Sequence, residues 1–184
     1  MQLLSRKFTV NEYQKMSEVG ILNPEDRVEL IHGQIIPMSP IGLKHAAMVK
    51  RLNTFLTYQL YNQAIIGVQD PIQIDDFTQP QPDIFLLAIR SDFYELEIPK
   101  PQDILAVIEV CDTTIRYDRE IKIPLYATSN IPETWLINLN NQSLEVYRNP
   151  QNQNYQTKQV LNKNQTISLL AFPQLIIKLT EFFI

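Results

Sequence analysis

Two apolar runs, each tied to one carboxylate, most constrain what this chain can fold into. Ile84-Phe85-Leu86-Leu87-Ala88 follows Asp83 directly, and Ile104-Leu105-Ala106-Val107-Ile108-Glu109-Val110 carries Glu109 near its end. Neither run alternates between apolar and polar positions. Strands of this kind are covered on both faces, so both are read as central strands of a sheet with helices packed on it.

The rest of the pattern supplies the covering elements. Thr9 and Glu12 form a capping box for a helix over 10–19, and Gly20 stops it. Asn23-Pro24-Glu25-Asp26 reads as a turn. Val28-Glu29-Leu30-Ile31 and Gln34-Ile35-Ile36-Pro37-Met38 flank His32-Gly33 and read as a hairpin. The longest helix is predicted over 43–63, with Ala47, Leu52, Phe55, Leu56, Gln59 and Leu60 at an approximate helical period. Short strands are predicted over 64–69 and 71–75, followed by a proline-rich loop over 76–82. After Cys111, Thr113 or Thr114 leads into a helix near 117–129. Pro124 falls inside it and would cost about 3 kcal/mol in a regular helix interior, so an irregular turn is expected before Ile123. Strands over 133–139 and 144–147 form a second hairpin. Short strands or capping segments over 155–160 and 167–170 follow, and 171–180 is ambiguous between strand and helix. The expectation is a mixed α/β (α+β) fold with a central mixed β-sheet flanked by helices. The strands over 83–88, 104–110 and 133–139 lie in that sheet, with the 43–63 helix on one face. The length of 184 residues suits one domain, over 1–184.

A carboxylate is costly in strands this hydrophobic, and two of them on neighbouring strand ends repel. A divalent cation relieves both problems. An oxygen-rich site of Asp83, Glu109 and the backbone carbonyl of Val110 suits Mg2+ or Mn2+. Glu109 and Cys111 point to the same side of their strand. Asp118, Lys122 and Tyr126 share one face of the following helix. If that face covers the sheet rim, the ammonium of Lys122 orients a water or stabilises charge on a phosphoryl oxygen. Plainer readings stand beside these. Asp83 caps a turn after the proline loop. Glu109 pairs structurally with Arg116 or Lys122. Glu29 is a half-exposed strand residue. His45 is a surface or packing residue rather than a ligand, although it is also read as a phosphate contact. Cys111 is a small buried residue.

Composition narrows the function classes. The net charge is -4, from 16 basic and 20 acidic residues, which argues against tight non-specific hold on nucleic acid through bulk charge. Transient binding in a metal-charged cleft is still compatible with it. A single cysteine excludes an internal disulfide and fits a reducing compartment. Met1 to Val10 lack signal-peptide character, and no apolar run is long enough to cross a membrane, so a cytoplasmic protein without membrane contact is expected. No glycine-rich phosphate loop occurs among the four glycines, and no organic cofactor is expected.

Several ordered pieces resemble the Uma2 family. They are Arg27-Val28-Glu29-Leu30-Ile31-His32-Gly33-Gln34-Ile35, Ser39-Pro40-Ile41-Gly42 with His45, Gln79-Pro80-Gln81-Pro82-Asp83, Val107-Ile108-Glu109-Val110, Tyr117-Asp118-Arg119-Glu120-Ile121-Lys122, Tyr126-Ala127, and Ile131-Pro132-Glu133-Thr134-Trp135. That family belongs to the PD-(D/E)XK nuclease superfamily and is abundant in cyanobacteria. The resemblance implies a restriction endonuclease-like core. It assigns Asp83 and Glu109 to the two acidic elements and Glu29 to an early carboxylate that assists the metal site. The superfamily lysine usually stands two residues beyond the second acid, where this chain has Cys111; its role is transferred to Lys122. The implied activity is Mg2+-dependent hydrolysis of DNA phosphodiester bonds. The alternative is an inactive nuclease-fold protein that binds nucleic acid or a protein partner. Because many nuclease-fold relatives pair, a homodimer is expected.

Overall fold

A six-stranded mixed sheet occupies the centre of the computed structural model, which describes residues 5–23, 25–112 and 114–183. Pro24, in the expected turn, and Thr113, one of the two expected lead-in residues, lie outside the described residues. The sheet contains β3 (Ile65–Gly67), β4 (Ile84–Leu87), β5 (Ile104–Cys111), β6 (Glu133–Asn138), β7 (Ser143–Gln151) and β8 (Asn154–Asn162), in that spatial order. Neighbours are antiparallel except β5 and β6, which run parallel with Glu109 opposite Leu136. The two apolar runs are therefore adjacent, with Ile84 opposite Ile108. Two separate hairpins, β1 (Val28–Ile31) with β2 (Gln34–Pro37) and β9 (Thr166–Leu169) with β10 (Phe172–Lys178), complete the β structure. The segment that was ambiguous in sequence is thus β10 followed by a 3-10 turn, Leu179–Glu181.

Alternation along the strands sorts the core onto two faces. Ile84, Leu86, Ala106, Ile108 and Val110 pack under α2 (Leu43–Gln59), which contributes Met48, Val49, Leu52 and Leu56. Phe85, Leu87 and Val107 pack on the other face with Leu125 and Tyr126. Glu109 and Cys111 share the parity of Val107, so their side chains belong to this second face. The first helix, α1 (Val10–Glu18), carries the expected capping box: Glu12 N–H donates to Thr9 Oγ1 and Thr9 N–H donates to Glu12 Oε2.

Three local expectations are corrected. The long helix ends at Gln59 rather than at 63, because the N–H groups of Gln63 and Ala64 both return to the Leu60 carbonyl and Asn62 takes a left-handed φ of 56°. The predicted 71–75 strand is not formed. Its N–H groups go to loop carbonyls instead, Ile72 to Pro80, Gln73 to Pro99 and Ile74 to Thr78. The helix after Cys111 starts earlier than expected and runs in three parts: α3 (Ile115–Tyr117), a π-helical turn Asp118–Lys122, and α4 (Ile123–Thr128). The irregularity expected before Ile123 takes this π form. Pro124 has no N–H to give to the preceding turn, and a widened turn absorbs the missing bond.

Candidate active site

Four segments converge at the rim of the sheet. β5 supplies Glu109 near the end of a strand whose other residues are apolar and largely buried. Asp83 stands immediately before β4, so the antiparallel pairing of β4 with β5 brings it beside Glu109 and Val110. Two backbone bonds lock the pair. Val110 N–H donates to Asp83 Oδ2 at 2.9 Å, and Asp83 N–H donates to Glu109 Oε2 at 3.4 Å. Asp83 draws its other partners from distant segments, Gln69 Nε2 at 3.1 Å and His45 Nε2 at 3.0 Å. It is not a local turn cap.

β1 brings in the third carboxylate. Leu30 exchanges backbone hydrogen bonds with Gln79, which ties β1 to the proline loop and turns Glu29 inward. Gln81 lies between two prolines and has no strand partner for its N–H, which donates to Glu29 Oε2 at 3.3 Å. Glu29 is 2% exposed, so the half-exposed reading of it is overturned. Tyr117 Oη donates to Glu29 Oε1 at 3.3 Å.

The π-helical turn brings the cation. Lys122 Nζ lies 3.2 Å from Glu109 Oε1 and 3.3 Å from Glu29 Oε2. Tyr126 Oη donates to Glu109 Oε1 at 2.6 Å. In a continuous α-helix, positions 118, 122 and 126 drift by about 40° at each step of four. The wider π turn removes part of that drift, and Asp118, Lys122 and Tyr126 are all buried. Arg116, the other cation weighed for Glu109, instead pairs with Glu120 in solvent. Cys111 is buried as expected, and its Sγ donates to Asp118 Oδ2 at 3.0 Å.

Glu29, Asp83, Glu109, Tyr117, Asp118 and Lys122 line a cleft of about 510 Å³ whose mouth includes Arg27 and the loop Ser39–Gly42. Glu29, Asp83, Glu109 and Asp118 are all buried around the single buried ammonium of Lys122. Burial pushes the Glu109 carboxyl up to about 8, with Lys122 opposing the rise and Asp83 adding to it. Burial also works to raise Asp83, but the hydrogen bonds from His45, Val110 and Gln69 outweigh it and hold that carboxyl below its usual value. Lys122 loses solvation, yet the surrounding carboxylates raise its pKa and keep it charged. Burial raises both tyrosines, Tyr117 and Tyr126, so they act as donors.

All the candidates read from sequence meet here. Glu29, Asp83, Glu109 and Lys122 form one connected cluster, Val110 joins it through its N–H, and His45 enters from α2. Of the two plainer readings of His45, surface or packing, the surface one does not hold: its side chain is 15% exposed, and its Nδ1 is buried without a hydrogen-bond partner. Gln69, Gln81 and Tyr117 were missed as participants. The one signal for Gln81 was its place between Pro80 and Pro82. Among the described residues, no group of three or more His, Cys, Asp or Glu side chains is placed to hold a metal ion. The donor set itself suits a hard cation, since it is all oxygen and carries more buried negative charge than Lys122 neutralises.

A mixed sheet flanked by helices, with acidic strand ends converging at its rim, defines a restriction endonuclease-like fold of the nuclease superfamily. The sequence matches the Uma2 family, described as "Putative restriction endonuclease", over residues 10–180, and the chain belongs to that family. A crystal structure described as a putative nuclease belonging to DUF820 from Anabaena variabilis ATCC 29413 superimposes with a TM-score of 0.76. It is 20% identical in sequence, and the match covers 96% of this chain and 97% of that one. At that identity the likeness is one of fold. The comparison with curated proteins gives no match. Among the described residues, no helix is long and apolar enough to cross a membrane.

Proposed function

We propose that the cleft hydrolyses DNA phosphodiester bonds with the help of Mg2+, or Mn2+ in its place. The observation that carries this reading is the position of Lys122. The ammonium comes from a different element than the usual superfamily lysine, yet it lies within 3.3 Å of both Glu29 and Glu109. Asp83 and Glu109, with the Val110 carbonyl, are the residues that would hold the ion. Bound there, the ion's chemistry is to neutralise phosphate charge and to acidify water. Lys122 orients the attacking water or stabilises negative charge developing on a phosphoryl oxygen. Glu29 and Tyr126 hold Lys122 and Glu109 in place. His45 contacts the phosphate from the α2 side of the cleft. The protein acts as one restriction endonuclease-like domain and pairs into a homodimer, for which light scattering at tens of micromolar should give twice the chain mass.

A second reading has its own observation. Both oxygens of Asp83 and both of Glu109 already accept hydrogen bonds from protein donors or face Lys122. That network suits an inactive relative that binds nucleic acid or a protein partner. Nicking assays on supercoiled, linear and single-stranded DNA with Mg2+ and Mn2+ separate the two. Metal-dependent cleavage supports hydrolysis, and its absence across all substrates favours the binding protein.

A further inference from the structure

α2 is unlike the rest of this acidic chain. It carries Lys44, Lys50 and Arg51 and no Asp or Glu, against a net charge of -4 for the whole. No ion pair among the described residues involves any of these three cations. Helical spacing explains where they point. Met48, Val49, Leu52 and Leu56 face the sheet, so Lys50, Arg51, Thr54 and Tyr58 occupy the opposite side. Tyr61 continues that line just past the helix end. Tyr58 is 80% exposed and Tyr61 74%.

Two shallow depressions run along this outer face and adjoin, sharing Thr54 and Tyr58. Among the described residues lining them, Glu181 is the one carboxylate. The face also leads to the candidate active site. Its N-terminal end is the exposed Leu43, which follows the Ser39–Gly42 rim of the cleft, and His45 in the same turn reaches Asp83.

Resting on the phosphodiesterase reading, we propose that the outer face of α2 is a track for single-stranded nucleic acid. Lys50 and Arg51 take its phosphates, Tyr58 and Tyr61 stack on its bases, and the strand passes over Leu43 into the cleft. Charge selects the occupant. A second copy docked about a two-fold axis would set Lys50 and Arg51 against like charge, because such an interface brings one patch onto itself. A polyanion meets no such repulsion. The tyrosines select the strandedness. Duplex bases are already stacked and present only phosphates to such a face, whereas unpaired bases stack on exposed rings without regard to sequence. From Leu43 to Tyr58 the helix rises about 22 Å, room for roughly four nucleotides.

The test is fluorescence anisotropy with labelled oligodeoxythymidylate and a duplex of equal length, in EDTA and over a salt series. Without divalent metal no hydrolysis enters the reading, so a protein that binds but never cleaves tells against the hydrolytic function alone. The wild type should bind the single strand more tightly than the duplex, with a log–log salt slope of roughly -1.4 for two phosphate contacts. Lys50→Glu with Arg51→Glu should weaken binding by about tenfold or more and flatten that slope. Tyr58→Ala with Tyr61→Ala should weaken it by about thirtyfold or more and leave the slope unchanged. Arg51 Nη1 donates to the Phe182 carbonyl, so Lys50→Gln alone, with no such bond to lose, carries the charge test if the double reversal fails to fold. Absence of single-strand binding, equal affinity for duplex, or wild-type affinity in the Lys50 and tyrosine variants overturns the proposal.

Discussion

Lys122 Nζ stands 3.2 Å from Glu109 Oε1, although the two residues belong to a helical turn and a strand separated by the α3 segment. The strand position two residues beyond Glu109 is Cys111, whose thiol is buried against Asp118 and carries no charge to the cleft. Burial and the neighbouring Asp118 and Glu109 carboxylates push that thiol's pKa up. The cation therefore arrives from across the second face of the sheet, and the π-helical turn is what aims it.

Replacing Lys122 by Ala should keep metal binding and slow cleavage by roughly a hundredfold, as loss of one electrostatic donor of about 3 kcal/mol does. The change also strands Glu29 and Glu109 without a counter-charge, which destabilises a buried pair by about 3 kcal/mol. Lys122→Met keeps the packing of the stem and separates the two effects. Cleavage at the wild-type rate by a folded Lys122→Met protein would leave Lys122 as a structural ion pair only.

Gly67 tests the packing on the second face of the sheet, the face away from α2. A Cβ on Gly67 would sit 2.1 Å from Cζ of Phe85, a ring that is 1% exposed and cannot withdraw into solvent. Gly67→Ala should destabilise the fold by about 1–3 kcal/mol in chemical denaturation. The same change in a Phe85→Leu background should cost less, because the clashing ring is gone.

What was legible in sequence followed the range of the interaction. The Thr9–Glu12 capping box closes within one turn, so its pattern and its structure coincide. The adjacency of β4 and β5 followed from apolar runs too hydrophobic to face water. The periodicity of α2 placed Leu52 and Leu56 in the core, but it could not locate the helix end, which depends on Leu60 accepting two N–H groups from the following turn. Pro124 signalled an irregular helix without saying that it would be a π turn. Tyr117 reaches Glu29 across 88 positions of sequence, and no local pattern carries such a contact. His45 was placed at the helix start correctly; its partner Asp83 lies 38 residues away and was visible only once the sheet was assembled.

Glu145 should make stability depend on acidity. It is buried on β7, where Arg119, Tyr147 Oη and Lys158 Nζ, the last at 2.9 Å, all donate to it. Burial alone would raise its pKa, but those three donors lower it to about 2. The folded value lies below the unfolded value of about 4.3, so the contribution is fully present above that value and fades as pH falls toward 2. Arg119 and Lys158 are partly solvated, which limits the effect to about 1–2 kcal/mol. Urea unfolding of wild type and Glu145→Gln should therefore differ at pH 6 and converge toward pH 3. A difference that stays constant over that range would contradict the linkage.

The strongest test of the site pairs two conservative substitutions with two measurements. Asp83→Asn keeps the side-chain shape, and Asn can still accept from Val110 N–H through its carbonyl oxygen, so the fold should survive. It removes a carboxylate whose pKa the hydrogen bonds from His45, Val110 and Gln69 hold down, and with it the charge that would attract a cation. Glu109→Gln should be tolerated for a different reason. Burial works against the charged form of Glu109 and pushes its carboxyl up to about 8, so an uncharged amide of the same shape does not add to the desolvation cost at that position. Both variants should unfold near the wild-type denaturant midpoint, give no heat on titration with Mg2+, and fail to cleave DNA. Lys122→Met in the same series should give heat with cleavage slowed by roughly a hundredfold, which distinguishes loss of the ion from loss of the donor. If Asp83→Asn binds Mg2+ and cuts DNA as the wild type does, Asp83 holds no ion needed for the reaction and serves the fold alone, and the hydrolytic groups must be sought elsewhere in the molecule.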